Sequence, residues 1–383
     1  MSRRGSIKKA TNGTWWFVVD LPAADDTRRQ VRRRGFATRR EAQAALTEVL
    51  ASLQQGTFVK RERMTLGEYL ADWMEALPTS GRGIATISSY RHNLRLHVLP
   101  YAGQLRLQDL TAVDLDRLYH LLLTRGRYNG SGGLSNRTVR YVHTVLSAAL
   151  REAVGKGLLV RNPAGKATPP SAKSARPPEM AWWRPRELRA FLEFVSGHEL
   201  SPLFRLAGAT GMRRGELVGL RWGDVDLEGA RINVRRQITS TDYIVRQDAP
   251  KSDRGLRVVT IDPGTVAILE VLDRHPNGQV FNDGAGNPRH PESVARIFGR
   301  VVKRSGLPRI RFDDLRHSHV AHLIEAGVDP LTISRRLGHA SVAFTLDRYG
   351  HLFDQAGATA ARAVGELLGP QEEGPGRDEP PET

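Results

Sequence analysis

The chain has 383 residues, 40% of them hydrophobic, and carries 57 Lys and Arg against 41 acids for a net charge of +16. That length suggests two or three domains, that apolar share excludes a disordered chain, and that charge favours polyanionic partners, nucleic acid first. With no cysteine, disulfides, thiolate metal sites and cysteine nucleophiles are excluded, and no apolar run reaches membrane length, so a cytoplasmic or nucleoid protein with no membrane partner is expected.

Residues 1–60 read as a small sheet followed by a helix. Ser6 to Lys9, Thr14 to Asp20 and Arg28 to Phe36 are strand-like, with Asn12-Gly13 as a tight turn. Thr38 and Glu41 form a capping-box signature ahead of a helix to Gln54. Arg28, Arg29, Arg32, Arg33 and Arg34 crowd the third strand. So many cations side by side repel one another unless phosphates face them, which predicts a DNA-facing sheet; a solvated basic edge is the alternative.

Residues 61–161 read as a helical bundle. Thr65 and Glu68 form a second capping box, and Leu66, Tyr69, Leu70 and Trp73 recur at helical spacing. Further helices fit Thr86 to Val98, Ala112 to Leu123 and Asn136 to Val154, with Thr111 and Ser135 as N-caps and Gly155 as a stop. Arg125 to Gly133, with four glycines, should be a mobile loop. Arg91 with Arg95 and Arg137 with Arg140 share helix faces, a spacing that suits phosphate tracking and equally a solvated surface. Residues 162–181, rich in Pro, Ala, Ser and Lys, read as an extended, unstructured linker.

Residues 182–356 read as mostly helices with one small antiparallel sheet. Helices fit Pro185 to Val195, Leu200 to Thr210, Arg214 to Leu220, Pro263 to Arg274, Pro291 to Ser305, Asp314 to Ala326, Leu331 to Leu337 and Val342 to Arg348. The strand-like pieces are Arg231 to Gln237, Tyr243 to Gln247 and Leu256 to Ile261. Residues 357–383 should hold a last helix to about Leu368 and a disordered acidic tail. The fold class is multidomain and mainly α, with small β-sheets.

Short strings carry the chemistry. Arg213 sits in Thr210-Gly211-Met212-Arg213-Arg214-Gly215-Glu216-Leu217, at a helix start, with Glu216 one helical turn on to hold its guanidinium. Arginine suits two phosphate oxygens at once because its planar fork never loses its charge. Arg316 lies in Asp313-Asp314-Leu315-Arg316-His317, His339 in Leu337-Gly338-His339, and Tyr349 in Asp347-Arg348-Tyr349-Gly350-His351. A phenol with an ordinary pKa near ~10 becomes a good nucleophile only where positive groups stabilise its phenolate. The flanking Asp347, Arg348 and His351 argue against a fully apolar setting for Tyr349. His317, His319 and His322 raise a metal site, but no zincin-type carboxylate accompanies them, and neither metal nor cofactor is expected.

In this order the strings resemble the boxes of the tyrosine recombinases of the phage-integrase family, over nearly the whole chain. The resemblance implies an arm-type DNA-binding domain, a core-binding bundle and an α+β catalytic domain. It implies Tyr349 as nucleophile, Arg213, Arg316 and His339 on the phosphate, and Lys251 of Pro250-Lys251-Ser252-Asp253, in a turn between two strands, as the acid for the leaving 5′ oxygen. The family usually has histidine where this chain has Asp313. An N-cap is the structural expectation for that aspartate, and a missing catalytic donor would cost on the order of 3 kcal/mol in rate. The partners implied are double-stranded DNA attachment sites, three further copies of the chain in a homotetramer on DNA, and an excision factor or DNA-bending protein. A catalytically silent DNA-binding regulator, a chromosome-dimer resolvase and a type IB topoisomerase remain open.

Overall fold

The computed structural model describes every residue except 1–4, 22–29, 57, 61, 178–179, 242–243, 249–254, 275–277, 354–363, 366–367 and 369–383. Arg28, Arg29, Lys251 and most of the last helix and acidic tail therefore lie outside the described residues. The chain is mainly helical with small antiparallel sheets and divides into two compact units, Met1–Pro178 and Glu179–Thr383.

The first unit begins with strands β1 (Ser6–Lys9), β2 (Trp15–Asp20) and β3 (Gln30–Phe36), paired antiparallel in the order β1-β2-β3, followed by helix α1 (Arg39–Gln54). Alternation along β2 turns Phe17 and Val19 onto Leu46, Val49 and Leu53 of α1 and makes a core of them. The same alternation divides the arginine run. Arg34 stands opposite Trp16 and Arg32 opposite Val18 on the outer face, whereas Arg33 stands opposite buried Phe17 on the helix side. Arg33 is therefore half-buried and does not share the exposed face of Arg32 and Arg34. Thr38 caps α1 by accepting the Glu41 N–H at 3.2 Å, while the Glu41 carboxylate takes the Ala37 N–H instead of closing the box on Thr38.

The bundle consists of α2 (Leu66–Ala76), α3 (Ile84–His97), α4 (Leu99–Ala102), α5 (Ala112–Arg125) and α6 (Asn136–Gly155). Both halves of the capping box form at Thr65–Glu68, and Thr111 and Ser135 cap α5 and α6. The apolar faces close on one continuous core, with Leu66, Leu70, Leu94, Leu115 and Leu146 fully buried. Helix α6 runs through Gly155, and the left-handed residue after it is Gly157 (φ 71°).

Two expectations fail here. Arg91 is half-buried and donates from Nη2 and Nε to the Met74 carbonyl at 2.8 and 3.3 Å, satisfying an acceptor at the end of α2. Arg140 donates to the Pro170 carbonyl at 2.8 Å. These two arginines hold the unit together, while Arg95 and Arg137 remain exposed. The supposed free linker is also strapped down as far as it is described. The Thr168 N–H bonds Asp116 at 2.6 Å, Asn162 bonds the Ser147 carbonyl at 2.9 Å, and Ala164 is buried in the bundle core.

The second unit contains α7 (Pro185–Phe194), α8 (Ser201–Thr210), α9 (Arg214–Val218), β4 (Val225–Asp226), β5 (Arg231–Val234), β6 (Gln237–Thr241), β7 (Ile244–Asp248), β8 (Arg257–Thr260), α10 (Pro263–Glu270), α11 (Pro291–Ser305), α12 (Asp314–Glu325), α13 (Pro330–Leu337) and α14 (Val342–Tyr349). Instead of one sheet, the described residues form two antiparallel pieces, β4-β5-β8 and the ribbon β6-β7. The strands flanking residues 249–254 thus belong to different sheets and are not paired with each other. The main core holds a run of contacting rings, Trp183, Phe191, Phe204, Phe298 and Phe312, among aliphatic side chains. A second, smaller core gathers Val320, Ile333, Leu337 and Tyr349. Helix α12 serves both, giving Leu315 to the first and Val320 to the second.

Candidate active site

Between those two cores lies a layer of charge. Glu216, in the first turn of α9, has a side chain only 1% exposed and accepts from Arg213 Nη1 at 2.9 Å. Its two oxygens also take Arg257 Nη1 and Nη2, at 3.0 and 2.8 Å. Burial alone would raise the Glu216 pKa, but the Arg257 hydrogen bonds and charge, then Arg213, more than offset it and hold the carboxyl below its usual value. Arg213 itself is 44% exposed, so the buried carboxylate anchors a guanidinium whose face stays open.

Arg316 enters from α12. Its Nη1 donates to the Gly211 carbonyl at 2.7 Å and its Nη2 to the Leu337 carbonyl at 2.8 Å, tying the ends of α8 and α13 together. Both helix ends need a glycine in the left-handed region, Gly211 (φ 63°) and Gly338 (φ 64°). A Cβ on Gly211 would meet the His319 ring at 2.7 Å. Burial, then the charge of Arg213, pushes Arg316 down to about 9, still protonated at neutral pH. A guanidinium disfavoured in this way is relieved by an arriving anion.

His339 follows Gly338 and is 5% exposed, with Nδ1 2.8 Å from the Thr345 hydroxyl. Burial, then Arg316 and Arg213, lowers it to about 3, so the ring is neutral. Arg213, Arg316 and His339 therefore share one electrostatic environment, with Arg257 and Arg348 in range.

Tyr349 ends α14 and is 1% exposed, its ring inside the smaller core against Val320, Ile333 and Leu337. The ring packs among apolar side chains because α14 turns Asp347 and Arg348 outward and Tyr349 inward, yet the setting is not fully apolar, as the sequence leads one to expect. The hydroxyl is nonetheless polar in its contacts, 2.6 Å from His317 Nδ1. Burial raises the phenol's pKa, against the pull of Arg316 and Arg348.

Asp313 occupies the N-cap position of α12 but makes no capping bond, because its own backbone is already helical (φ −66°, ψ −17°). Asp314 is engaged instead, accepting the Arg311 N–H at 2.7 Å and its Nη2 at 2.7 Å. Asp313 is exposed. His319 and His322 are bonded to the carbonyls of Gly208 and Trp183, at 3.0 and 2.8 Å. Arg257, Arg336 and Thr345 belong to no string singled out in the sequence. The one available signal was a charged residue, Arg257, opening a strand whose Val259 is fully buried.

Residues 182–356 match the phage integrase family, and residues 6–53 match an arm DNA-binding domain. The chain is 29% identical to the ICEBs1 integrase of Bacillus subtilis over 95% of its own length and 100% of that protein's. It is 26% identical to a XerC-like tyrosine recombinase of Caldanaerobacter subterraneus over 93% and 97%. Among solved structures, the Tn1549 transposon integrase in complex with circular intermediate DNA aligns with a TM-score of 0.64 at 21% identity, over 80% of this chain and 100% of that one. A lambda integrase tetramer bound to a Holliday junction aligns at 0.56 and 18%, over 88% and 95%. At those identities the structural likeness bears on the fold alone. The family match and the relatives agree: residues 182–356 are a domain of the phage integrase family of tyrosine recombinases, and the protein is a site-specific DNA recombinase.

Proposed function

We propose that the protein cuts and rejoins attachment-site DNA of a phage or other mobile element through a 3′-phosphotyrosine link at Tyr349. In this reading Arg213 and Arg316 bind the non-bridging oxygens, and His339, whose Nδ1 is engaged by Thr345, offers Nε2 to the same phosphate. The Tyr349 oxygen attacks phosphorus, the bond to the 5′ oxygen breaks, and Lys251 protonates that oxygen. The link retains one ester's free energy, so rejoining runs by the reverse step without ATP. The observation that carries the reading is the cationic excess around Glu216, where Arg213 and Arg257 share one carboxylate and half-buried Arg316 bonds the neighbouring main-chain carbonyls; a phosphodiester neutralises it. Because Tyr349 is 1% exposed, DNA binding must also uncover it.

The outer face of the N-terminal sheet, where Lys8 and Arg34 each lie 5.6 Å from the Trp16 ring beside Arg32, would contact arm-type sites. Arg95 and Arg137 would track phosphates at the core site. The working form would be a homotetramer on DNA in the cytoplasm, aided by an excision factor or bending protein. Asp313, exposed where the family has a histidine, supports a second reading, a DNA-binding regulator without cleavage activity.

A nicked duplex spanning the junction between the chromosome and the element carrying this gene separates them. Recombinase activity gives a covalent adduct on a denaturing gel that disappears in Tyr349→Phe. Binding without any adduct selects the regulator, and relaxation of plasmids lacking the junction selects a topoisomerase.

A further inference from the structure

His317 follows the second arginine on α12. Its Nδ1 lies 2.6 Å from the Tyr349 hydroxyl and its Nε2 lies 3.4 Å from Arg348 Nη2. A guanidinium only donates, so a ring nitrogen that faces one is best left without a proton. His319, two residues on, shows the same arrangement with partners of fixed sense. Its Nδ1 meets the Gly208 carbonyl at 3.0 Å, which only accepts, and its Nε2 meets Arg336 Nε at 3.1 Å, which only donates. His319 therefore carries its proton on Nδ1.

His317 repeats the pattern with a phenol oxygen in place of the carbonyl. The carboxylate in range of it, Asp314, is engaged by the Arg311 N–H, Nε and Nη2 at 2.7, 3.1 and 2.7 Å. Burial, then Arg348, lowers His317 to about 4, with Asp314 opposing and Arg316 and Arg311 assisting. The ring is thus neutral near neutral pH and has a single N–H to place.

We infer that His317 is a further catalytic residue, donating its Nδ1–H to the Tyr349 oxygen and so stabilising the phenolate, rather than acting as the base that removes the phenolic proton. Arg348 fixes the tautomer from the far side of the ring, and its charge also favours the Tyr349 phenolate. In cleavage the bond from the Tyr349 oxygen to phosphorus forms and the bond from phosphorus to the 5′ oxygen breaks. The phenolic proton passes to water and His317 keeps its own. In rejoining, the same donor meets the phenolate as it departs. The inference rests on Tyr349 being the nucleophile, and it concerns how that oxygen is activated.

Two measurements test it. Histidine-selective 15N NMR of the full chain, with the His317 signals assigned by their loss in His317→Asn, reads the tautomer without any DNA. The inference expects a protonated Nδ1 and a bare Nε2; a protonated Nε2 overturns it. The second measurement is the rate of adduct formation on the nicked junction duplex. Asparagine can place an N–H where Nδ1 stood but cannot act as a base, so His317→Asn should stay within about tenfold of the native rate, while His317→Ala falls on the order of 100-fold, as for loss of one oxyanion donor. If His317→Asn falls as far as His317→Ala, His317 is a base and the inference is wrong. Should the native protein form no adduct, the recombinase reading fails by itself, and the NMR result still decides the tautomer.

Discussion

The helical bundle and the catalytic unit use helices of similar make but treat polar groups in opposite ways. The bundle closes on one apolar core, and its arginines at 91 and 140 are used up on main-chain carbonyls. The catalytic unit divides its apolar residues into two cores and buries the side chains of Glu216, Arg257, His319 and His339 between or beside them, with Arg316 half-buried. Replacing such buried charge with apolar side chains often leaves a fold as stable or more so, whereas removing one partner alone costs several kcal/mol. A seam of this kind is therefore better explained by what it must bind than by the fold it occupies.

The largest effect expected from breaking the contrast is at Glu216. Glu216→Ala leaves Arg257, 6% exposed, without its carboxylate and should destabilise the catalytic unit by about 3–5 kcal/mol. In the bundle, Tyr69→Phe removes a buried hydrogen bond from the Tyr69 hydroxyl to the Ala149 carbonyl. It should cost only about 1–2 kcal/mol. Chemical denaturation of the two variants, followed by tryptophan fluorescence, checks the order.

Acid sharpens the same comparison. His319 and His339 are each lowered to about 3, so between pH 6.5 and that value the unfolded chain binds protons that the folded chain refuses. Their stabilisation is complete above the unfolded histidine value and is lost as pH falls below it, by about 1.4 kcal/mol per pH unit for each. Glu216, with its depressed pKa, acts in the same sense at lower pH. His97 and His143 of the bundle are lowered as well, chiefly by burial. The catalytic unit should lose stability more steeply from pH 6.5 to 4.5, as read by calorimetry. A steeper loss in the bundle would contradict the assignment of buried neutral histidines to the site.

The smallest effect separates two arginines on one helix. Arg91→Ala should cost about 1 kcal/mol of stability and change DNA affinity little. Arg95→Ala should leave stability unchanged and lower the salt dependence of DNA binding by about one counterion. Fluorescence anisotropy over a salt series distinguishes them.

What could be read in advance was local. Alternating residues in Trp15–Asp20 and the caps Thr65, Thr111 and Ser135 specify their elements within a few positions, and the five boxes announced the family. Arg91, Arg140 and residues 162–176 were misjudged because their partners are main-chain carbonyls or side chains 15 to 52 positions away, which leave no period in the sequence. His317 was hidden for the same reason, since its meaning depends on Tyr349, 32 residues on. Asp313 stands at the N-cap position the sequence indicated but makes no capping bond, because the backbone enters α12 already helical and Asp314 is the acid that takes the Arg311 N–H.

The central claim is that this cationic seam presents a DNA phosphate to one phenolic oxygen. Protease digestion of the covalent complex trapped on the nicked junction duplex, followed by mass spectrometry of the nucleotide-linked peptide, tests it most directly. The account predicts a single modified residue, Tyr349, bearing the 3′ phosphate. Linkage through any other side chain, or through a 5′ phosphate, would contradict it.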